Sequence, residues 1–412
     1  MKKIFLFLLF TTSIFSQKTT ELFNSTILGE NREITIGLPA SYGKNKDKKY
    51  PVLVVLDGDY LFDPFYGALC FGEYWADIPE TIVVGINQAN KRDKDSEYAL
   101  SEGIPKGTGA TFFEFIGGEI LPFIEKKYRT SPFKIIAGHD LTAGFINFFL
   151  YKSNTLFDAY ISLSPDLAPG MENILPARLE VIKKPIFYYL SAAEGDMKNT
   201  ENDIKTMQEN IGTLTNSNLK FKFDDFKNAS HYSSVLFSIP SALYHIFESY
   251  KPITPTEYDE KISLLTENQA DYLDKKYDLI SKILGYEMPV RINDLKAIET
   301  VILKFKNYNE LDKLAIIANK SYPKSMLGDY ELALMYENNL DFERAAKFYQ
   351  YAFYKNEIGD LTKNQIMIKI NEMKSKLPKK GSKFKEKFPE EPIKDVSTET
   401  KSEPVKEEVK PK

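Results

Sequence analysis

Lys134-Ile135-Ile136-Ala137-Gly138-His139-Asp140-Leu141-Thr142-Ala143-Gly144 is the stretch that decides how this chain is read. The apolar run Lys134–Ala137 leads into a turn bounded by glycines, and the turn leads into the apolar helix-like segment Phe145–Tyr151. That is the strand–turn–helix context of a nucleophile elbow, written G-x-S-x-G when the nucleophile is a serine. The glycines permit a tight turn, the turn lifts its central residue above the sheet, and the following helix N-terminus presents N–H groups to a developing oxyanion. Here Asp140 stands in the serine's place and Thr142 in that of the second glycine, with Gly138, His139 and Gly144 completing the turn. A threonine at 142 is expected to crowd a turn that glycine would open.

Outward from the elbow, Glu33–Leu38, Val52–Leu56, Thr81–Ile86, Ala159–Ser162, Ile186–Leu190 and Leu219–Phe223 read as strands alternating with helix-like segments. This alternation predicts a mostly parallel sheet between two helical layers, and a continuously apolar run such as Val52–Leu56 suits a strand buried on both faces. After Tyr250 the β signal fades. Lys251–Thr256, with Pro252 and Pro255, reads as a linker, and residues 251–376 as a small all-α unit with Leu, Ile, Tyr, Lys and Glu at helical spacing. Within it Leu332, Tyr336, Ala345, Tyr349 and Ala352 fall at tetratricopeptide spacing, two antiparallel helices turning at Asn338–Asp341. Ala333 stands at the usual glycine position and the terminal proline is absent, so a generic helical hairpin is the alternative. A solenoid stacks several such units, and only one is clear here.

A chain of 412 residues, 43% hydrophobic, is long enough for one large core and a smaller second unit. Its net charge of −4 leaves no surplus to neutralise phosphates, so nucleic acid is not an expected partner. Residues 1–16 read as a signal peptide: Lys2 and Lys3, the apolar run Ile4–Phe10, then a small-residue zone from Ser13 to Ser16. Export to a periplasmic or secreted location follows, with a retained anchor as the alternative. No later stretch approaches the roughly 20 apolar residues of a transmembrane helix. Cys70 is the only cysteine, which excludes an internal disulfide, and its place in Tyr66–Phe71 predicts a buried, inert thiol. Residues 377–412, rich in Lys, Glu and Pro, are expected to form a disordered tail.

Several further motifs stand in order around the elbow. They are Arg32-Glu33-Ile34-Thr35-Ile36-Gly37-Leu38-Pro39 with Tyr42, Tyr50-Pro51-Val52-Leu53-Val54-Val55-Leu56-Asp57-Gly58, Val84-Gly85-Ile86-Asn87, Glu119-Ile120-Leu121-Pro122, Tyr128-Arg129-Thr130 and Ser162-Leu163-Ser164-Pro165. From Arg32 to Tyr250 this series resembles the putative-esterase family, which includes esterase D and the ferric-enterobactin esterases. The resemblance implies an α/β-hydrolase sandwich over residues 17–250, and the spacing noted above adds the tetratricopeptide-like unit after it. It places Asp140 at the nucleophile, Glu194 or Asp196 at the acid and His231 at the base, in the chain order this fold uses. It places the oxyanion hole around Asp57, Gly58, Asp59 and Leu141. It implies no cofactor and no metal. Of the three histidines, His139 is then the elbow's spacer, and His245, on an amphipathic segment, is a packing residue.

Asp140 is the departure from that pattern. A serine attacks a carbonyl after histidine takes its proton, whereas a carboxylate would form an anhydride and its charge would oppose the oxyanion. Loss of ester chemistry and use of the domain as a binding or scaffold module is the expected reading. The helical unit would then meet a protein partner, and the old pocket would hold a small-molecule ligand. Two alternatives keep an activity. In the first Asp140 attacks an alkyl centre, and Gly138-His139-Asp140 is similar to the elbow of epoxide hydrolases and haloalkane dehalogenases. Thr142 and the lack of a cap-sized insertion between Ser164 and Ile186 depart from those enzymes. In the second a water held between Asp140 and His231 hydrolyses esters weakly.

Overall fold

The computed structural model describes residues 17–101 and 103–378. The leader expected at 1–16 and the tail expected at 377–412, apart from Leu377 and Pro378, lie outside the described residues. The strands are β1 (Lys18–Ser25), β2 (Glu30–Gly37), β3 (Tyr50–Val55), β4 (Ile82–Ile86), β5 (Tyr98–Ala99), β6 (Ile104–Pro105), β7 (Thr130–His139), β8 (Ala159–Leu163), β9 (Ile186–Ala193) and β10 (Leu219–Phe226). The helices of the first part are α1 (Gly58–Tyr74), α2 (Arg92–Asp95), α3 (Gly107–Phe115), α4 (Leu121–Lys127), α5 (Leu141–Ile146), α6 (Met171–Glu180), α7 (Lys198–Gly212) and α8 (Ser234–Ile246). The second part is all helix: α9 (Pro255–Glu260), α10 (Gln269–Leu284), α11 (Ile292–Phe305), α12 (Glu310–Ser321), α13 (Leu327–Asn338), α14 (Phe342–Phe353) and α15 (Lys363–Lys376).

Eight strands form one sheet in the order β1-β2-β4-β3-β7-β8-β9-β10. From β4 to β10 every neighbouring pair is parallel, and only β2 runs against its neighbours. This is the mixed, mostly parallel sheet of an α/β-hydrolase. Successive side chains of a strand face opposite layers. On β7, Ile135 and Ala137 join one core with Phe62 and Phe65 of α1 and Ile239 and Leu243 of α8. Ile136 joins the other with Phe112 and Phe115 of α3 and Met207 of α7. The reaction edge of the sheet lies at the C-terminal ends of β3, β7 and β9, where the site residues emerge.

The first core continues into the helical part through Leu273, Tyr277 and Ile280 of α10 and Ile298 of α11. The expected linker is fastened rather than free. Ile253 N donates to Asp294 Oδ1 at 2.9 Å, and the Arg291 guanidinium lies 4.5 Å over the Tyr250 ring. α13 and α14 form the expected hairpin, closed by Ala333, Ala345, Tyr349 and Ala352, with the Asp341 side chain capping α14 at Arg344 N. No helix among the described residues is long and apolar enough to cross a membrane.

One strand was not foreseen, and one expectation is corrected. β1, with Leu22 exposed and Phe23 packed on Phe115 and Phe123, is an edge strand whose polar sequence hides its β character. Cys70 is exposed, not buried: α1 turns Leu61, Phe65 and Leu69 inward, and Cys70, one position after Leu69, falls on the outer side. Partial desolvation of the thiol against the neighbouring side chains, the largest effect, still raises its pKa.

Candidate active site

β7 ends in the elbow. Asp140 adopts φ 58° and ψ −119°, a sparsely populated conformation for a non-glycine residue. The turn is held by Asp140 N donating to Leu163 O at 2.9 Å, and by Asp140 O accepting from Gly144 N and Asp166 N, both at 3.0 Å. A Cβ on Gly138 would come within 2.7 Å of the Thr142 carbonyl, and one on Gly144 within 1.9 Å of Asp166 O. Glycine is therefore required at both positions. At 142 it is not: the Thr142 hydroxyl donates to Asp57 Oδ2 at 2.7 Å and accepts from His139 N at 3.0 Å. The expected crowding is absent because the side chain has a buried acceptor beside it.

β9 and β10 bring the acid and the base. Asp196 Oδ1 accepts from His231 Nδ1 at 2.7 Å, and its Oδ2 accepts from Ala193 N at 2.8 Å. Both carboxylate oxygens are thus fixed behind the imidazole, the arrangement that orients a catalytic histidine. The bond from Asp196 raises the His231 pKa against the opposing effect of burial, and Asp140 adds to the rise. Glu194, the other candidate acid, faces away and accepts from Asn228 N at 2.6 Å. His231 Nε2 lies 3.8 Å from Asp140 Oδ1, beyond hydrogen-bond reach.

Asp57 follows β3 with φ 52° and is buried. A Cβ on Gly58 would strike Asn87 and the Gly85 backbone, so the chain must be bare there to open α1. Asp59 Oδ2 accepts from Gln88 N and Ala89 N at 2.8 Å each, which ties α1 to the loop after β4. Leu141 opens α5 directly after Asp140. His139, wholly buried, has its pKa lowered to about 4 by burial and by the neighbouring His231. It is therefore neutral, with Nε2–H donating to His231 O at 3.3 Å and Nδ1 lying 2.9 Å from the Tyr60 hydroxyl.

Arg92, on α2, completes the site and carries no motif. Its Nε donates to Asp57 Oδ1 at 2.8 Å, its Nη1 to Asp140 Oδ2 at 3.1 Å and its Nη2 to His139 O at 2.8 Å. Burial, the largest single effect, opposes its charge, but the bonds and charges of Asp57, Tyr60 and Asp140 together outweigh it and Arg92 holds its proton more strongly than usual. α2 itself is pinned, since Asp95 takes both Nη atoms of buried Arg32, at 2.5 and 3.0 Å, and the Gln88 amide at 3.1 Å. The only sequence signal is position: the polar run Gln88–Asp95 directly follows a strand end at the sheet edge where sites form. Of the residues expected here, Asp140, His231, Asp196, Asp57, Thr142 and His139 are brought together, and Glu194 stands apart.

Strain at residue 140, raised toward a histidine with an aspartate behind it at the ends of parallel strands, places the chain among the α/β-hydrolases of esterase type. Residues 25–230 match the family model described as Putative esterase, and the chain belongs to that family. An uncharacterised protein from Capnocytophaga ochracea is similar in structure, with a TM-score of 0.81 at 27% identity, over 87% of this chain and 100% of that one. An IroE-like serine hydrolase from Shewanella oneidensis shares the fold at 20% identity, with a TM-score of 0.57 over 74% of this chain and 99% of its own. The BES protein from Bacillus cereus does so at 23% identity, with a TM-score of 0.50 over 59% and 97%. No curated protein matches the chain.

Proposed function

We propose that this is an exported, periplasmic or secreted, esterase-like protein that has lost acyl transfer and serves as a binding or scaffold module. One observation carries the reading: the nucleophile position holds a carboxylate already engaged by a guanidinium, Arg92 to Asp140 at 3.1 Å. A carboxylate in an ion pair is a weak nucleophile, its product with an acyl group would be an anhydride, and its charge opposes an oxyanion next to Leu141. In this reading the helical part, tetratricopeptide-like in the α13–α14 hairpin, meets a protein partner, and the old pocket holds a small-molecule ligand. The purified chain is expected to hydrolyse p-nitrophenyl acetate and butyrate no faster than buffer. Turnover abolished by Asp140→Ala contradicts the reading.

A second reading has one observation in its favour, the preserved His231–Asp196 pair at 2.7 Å. In it Asp140 displaces an alkyl leaving group and His231 activates the water that cleaves the alkyl ester. Its mark is a covalent adduct on Asp140, seen by mass spectrometry after incubation of His231→Ala with a haloalkane.

A further inference from the structure

The outward face of α1 changes character along its length. Asp63 is exposed and ion-paired with Lys18 of β1. Beyond it the exposed positions are Gly67, Cys70, Phe71 and Tyr74, with Trp75 at the C-cap. Phe71 is 63% exposed, Tyr74 80% and Trp75 61%. A helix face that stays in water is ordinarily charged or polar. Here the one charged residue between Asp63 and Trp75 is Glu73, which is partly buried and turned to Glu80. The Tyr74 and Trp75 rings meet edge to face at 5.1 Å. Phe71, three and four positions earlier, is their neighbour on the helix surface, so the three rings form one patch. At its rim Arg291 Nη2 donates to Ala76 O at 3.2 Å.

Area argues against a second copy of the chain as the occupant. Three partly exposed aromatic side chains offer on the order of 400 Å², against the roughly 800 Å² that each partner of a stable complex buries. A bilayer surface sets no such minimum, and Trp and Tyr favour its interface, where the ring is buried and the polar tip stays wet. The start of the fold points the same way. Gln17, the first described residue, accepts from Leu38 N at 2.7 Å, and Lys18 Nζ lies 5.0 Å over the Phe62 ring of α1. From Asp63, which holds Lys18, to Phe71 is about 12 Å along the helix. The apolar run Ile4–Phe10 ends seven residues before Gln17, a reach of at most about 25 Å. A bilayer that takes up this run is therefore within reach of the aromatic end of α1.

We infer that the C-terminal half of α1 is a membrane-contact surface, on which Phe71, Tyr74 and Trp75 seat in the headgroup region of the bilayer that the run Ile4–Phe10 enters. Of the two fates of residues 1–16 this takes the retained anchor. It does not depend on the state of Asp140. The elbow lies toward the other end of α1, where the Tyr60 hydroxyl meets His139 Nδ1 at 2.9 Å, about 20 Å from Tyr74 along the helix. Seating the aromatic end therefore leaves the elbow clear of the headgroups. The contact is apolar, so it needs no anionic lipid.

Trp75 is the only tryptophan, so its emission reports this face alone. The test titrates the full chain with phosphatidylcholine vesicles, plain and with brominated acyl chains. The emission is expected to shift to the blue on plain vesicles and to be quenched on brominated ones. Phe71→Ser combined with Tyr74→Ser is expected to weaken vesicle binding at least about tenfold, since two aromatic rings leave the interface. Both side chains are exposed, and should the variant still fail to fold, quenching of the unaltered chain decides alone. Trp75 emission unmoved by vesicles, including binding through residues 1–16 alone, overturns the inference. Unchanged affinity in the folded double variant does so as well. A blue shift that grows with protein concentration in the absence of vesicles puts a second copy on the face and also overturns it.

Discussion

His231 with Asp196, and Asp140 with Arg92, are both ion pairs in one site, yet they act differently on the chemistry. The first is what an esterase needs: a carboxylate buried behind the imidazole orients it and strengthens its hold on a proton. The second removes what an esterase needs, because a charged side chain and its counter-ion replace a neutral hydroxyl. The acid–base side could serve unchanged in an active relative, and the nucleophile side could not. In the proposed reading the site keeps its strained turn and its base while the chemistry that both serve is lost. Backbone strain and orientation are built by many residues across β7, β8 and β9, but the nucleophile is a single side chain.

The largest expected effect lies on the nucleophile side. Arg92→Ala leaves Asp57, 2% exposed, without its counter-charge and Asp140 without its partner. Removing one member of a buried pair costs about 3–5 kcal/mol, and partial exposure of Arg92 reduces this to about 2–4. Equilibrium urea denaturation measures the loss. Adding Asp57→Asn should recover part of it, because the stranded charge is then gone. A single variant as stable as the parent would mean that Arg92 does not hold the two carboxylates.

The acid–base side should respond more gently. By NMR titration His231 is expected above the ordinary value of about 6.5, and Asp196→Asn, which removes the largest cause of the rise, should lower it. Asp140→Asn should lower it less, and Glu194→Gln should leave it in place. The folded-state pKa is raised, so the stabilisation from protonated His231 is full below the unfolded value near 6.5 and is lost as pH rises through the folded value. Stability of the parent relative to Asp196→Asn should therefore decline across that window. An unmoved His231 in Asp196→Asn, or a shift in Glu194→Gln, would exchange the roles of the two acids.

Much of this was legible in the sequence, and the gaps have physical causes. Five strands announce themselves by apolar runs because the middle of the sheet is buried on both faces, β2 and β10 do so by alternation, and the elbow is marked by glycines that packing requires at 138 and 144. β1 shows no such run because an edge strand with one wet face can be polar. Glu194 and Asp196 are two positions apart, and spacing alone cannot tell which turns inward. Asp196 does so because its carboxylate also accepts from Ala193 N. Arg92 was missed because a guanidinium reaching a site from a polar loop leaves no periodicity and no motif. Its role depends on Asp57, 35 positions earlier in the chain, and on Asp140.

The central claim is that only the nucleophile side has changed and that the histidine side is still competent. Labelling with a fluorophosphonate, which reacts with a serine activated by a neighbouring histidine, tests it directly. The unaltered chain should not be labelled. Asp140→Ser should be labelled at position 140 and should hydrolyse p-nitrophenyl butyrate slowly, since Arg92 still lies against the elbow, and both signals should vanish when His231→Ala is added. A folded Asp140→Ser chain that takes no label and turns over no ester would contradict the account, because the loss would then extend to the His231 side.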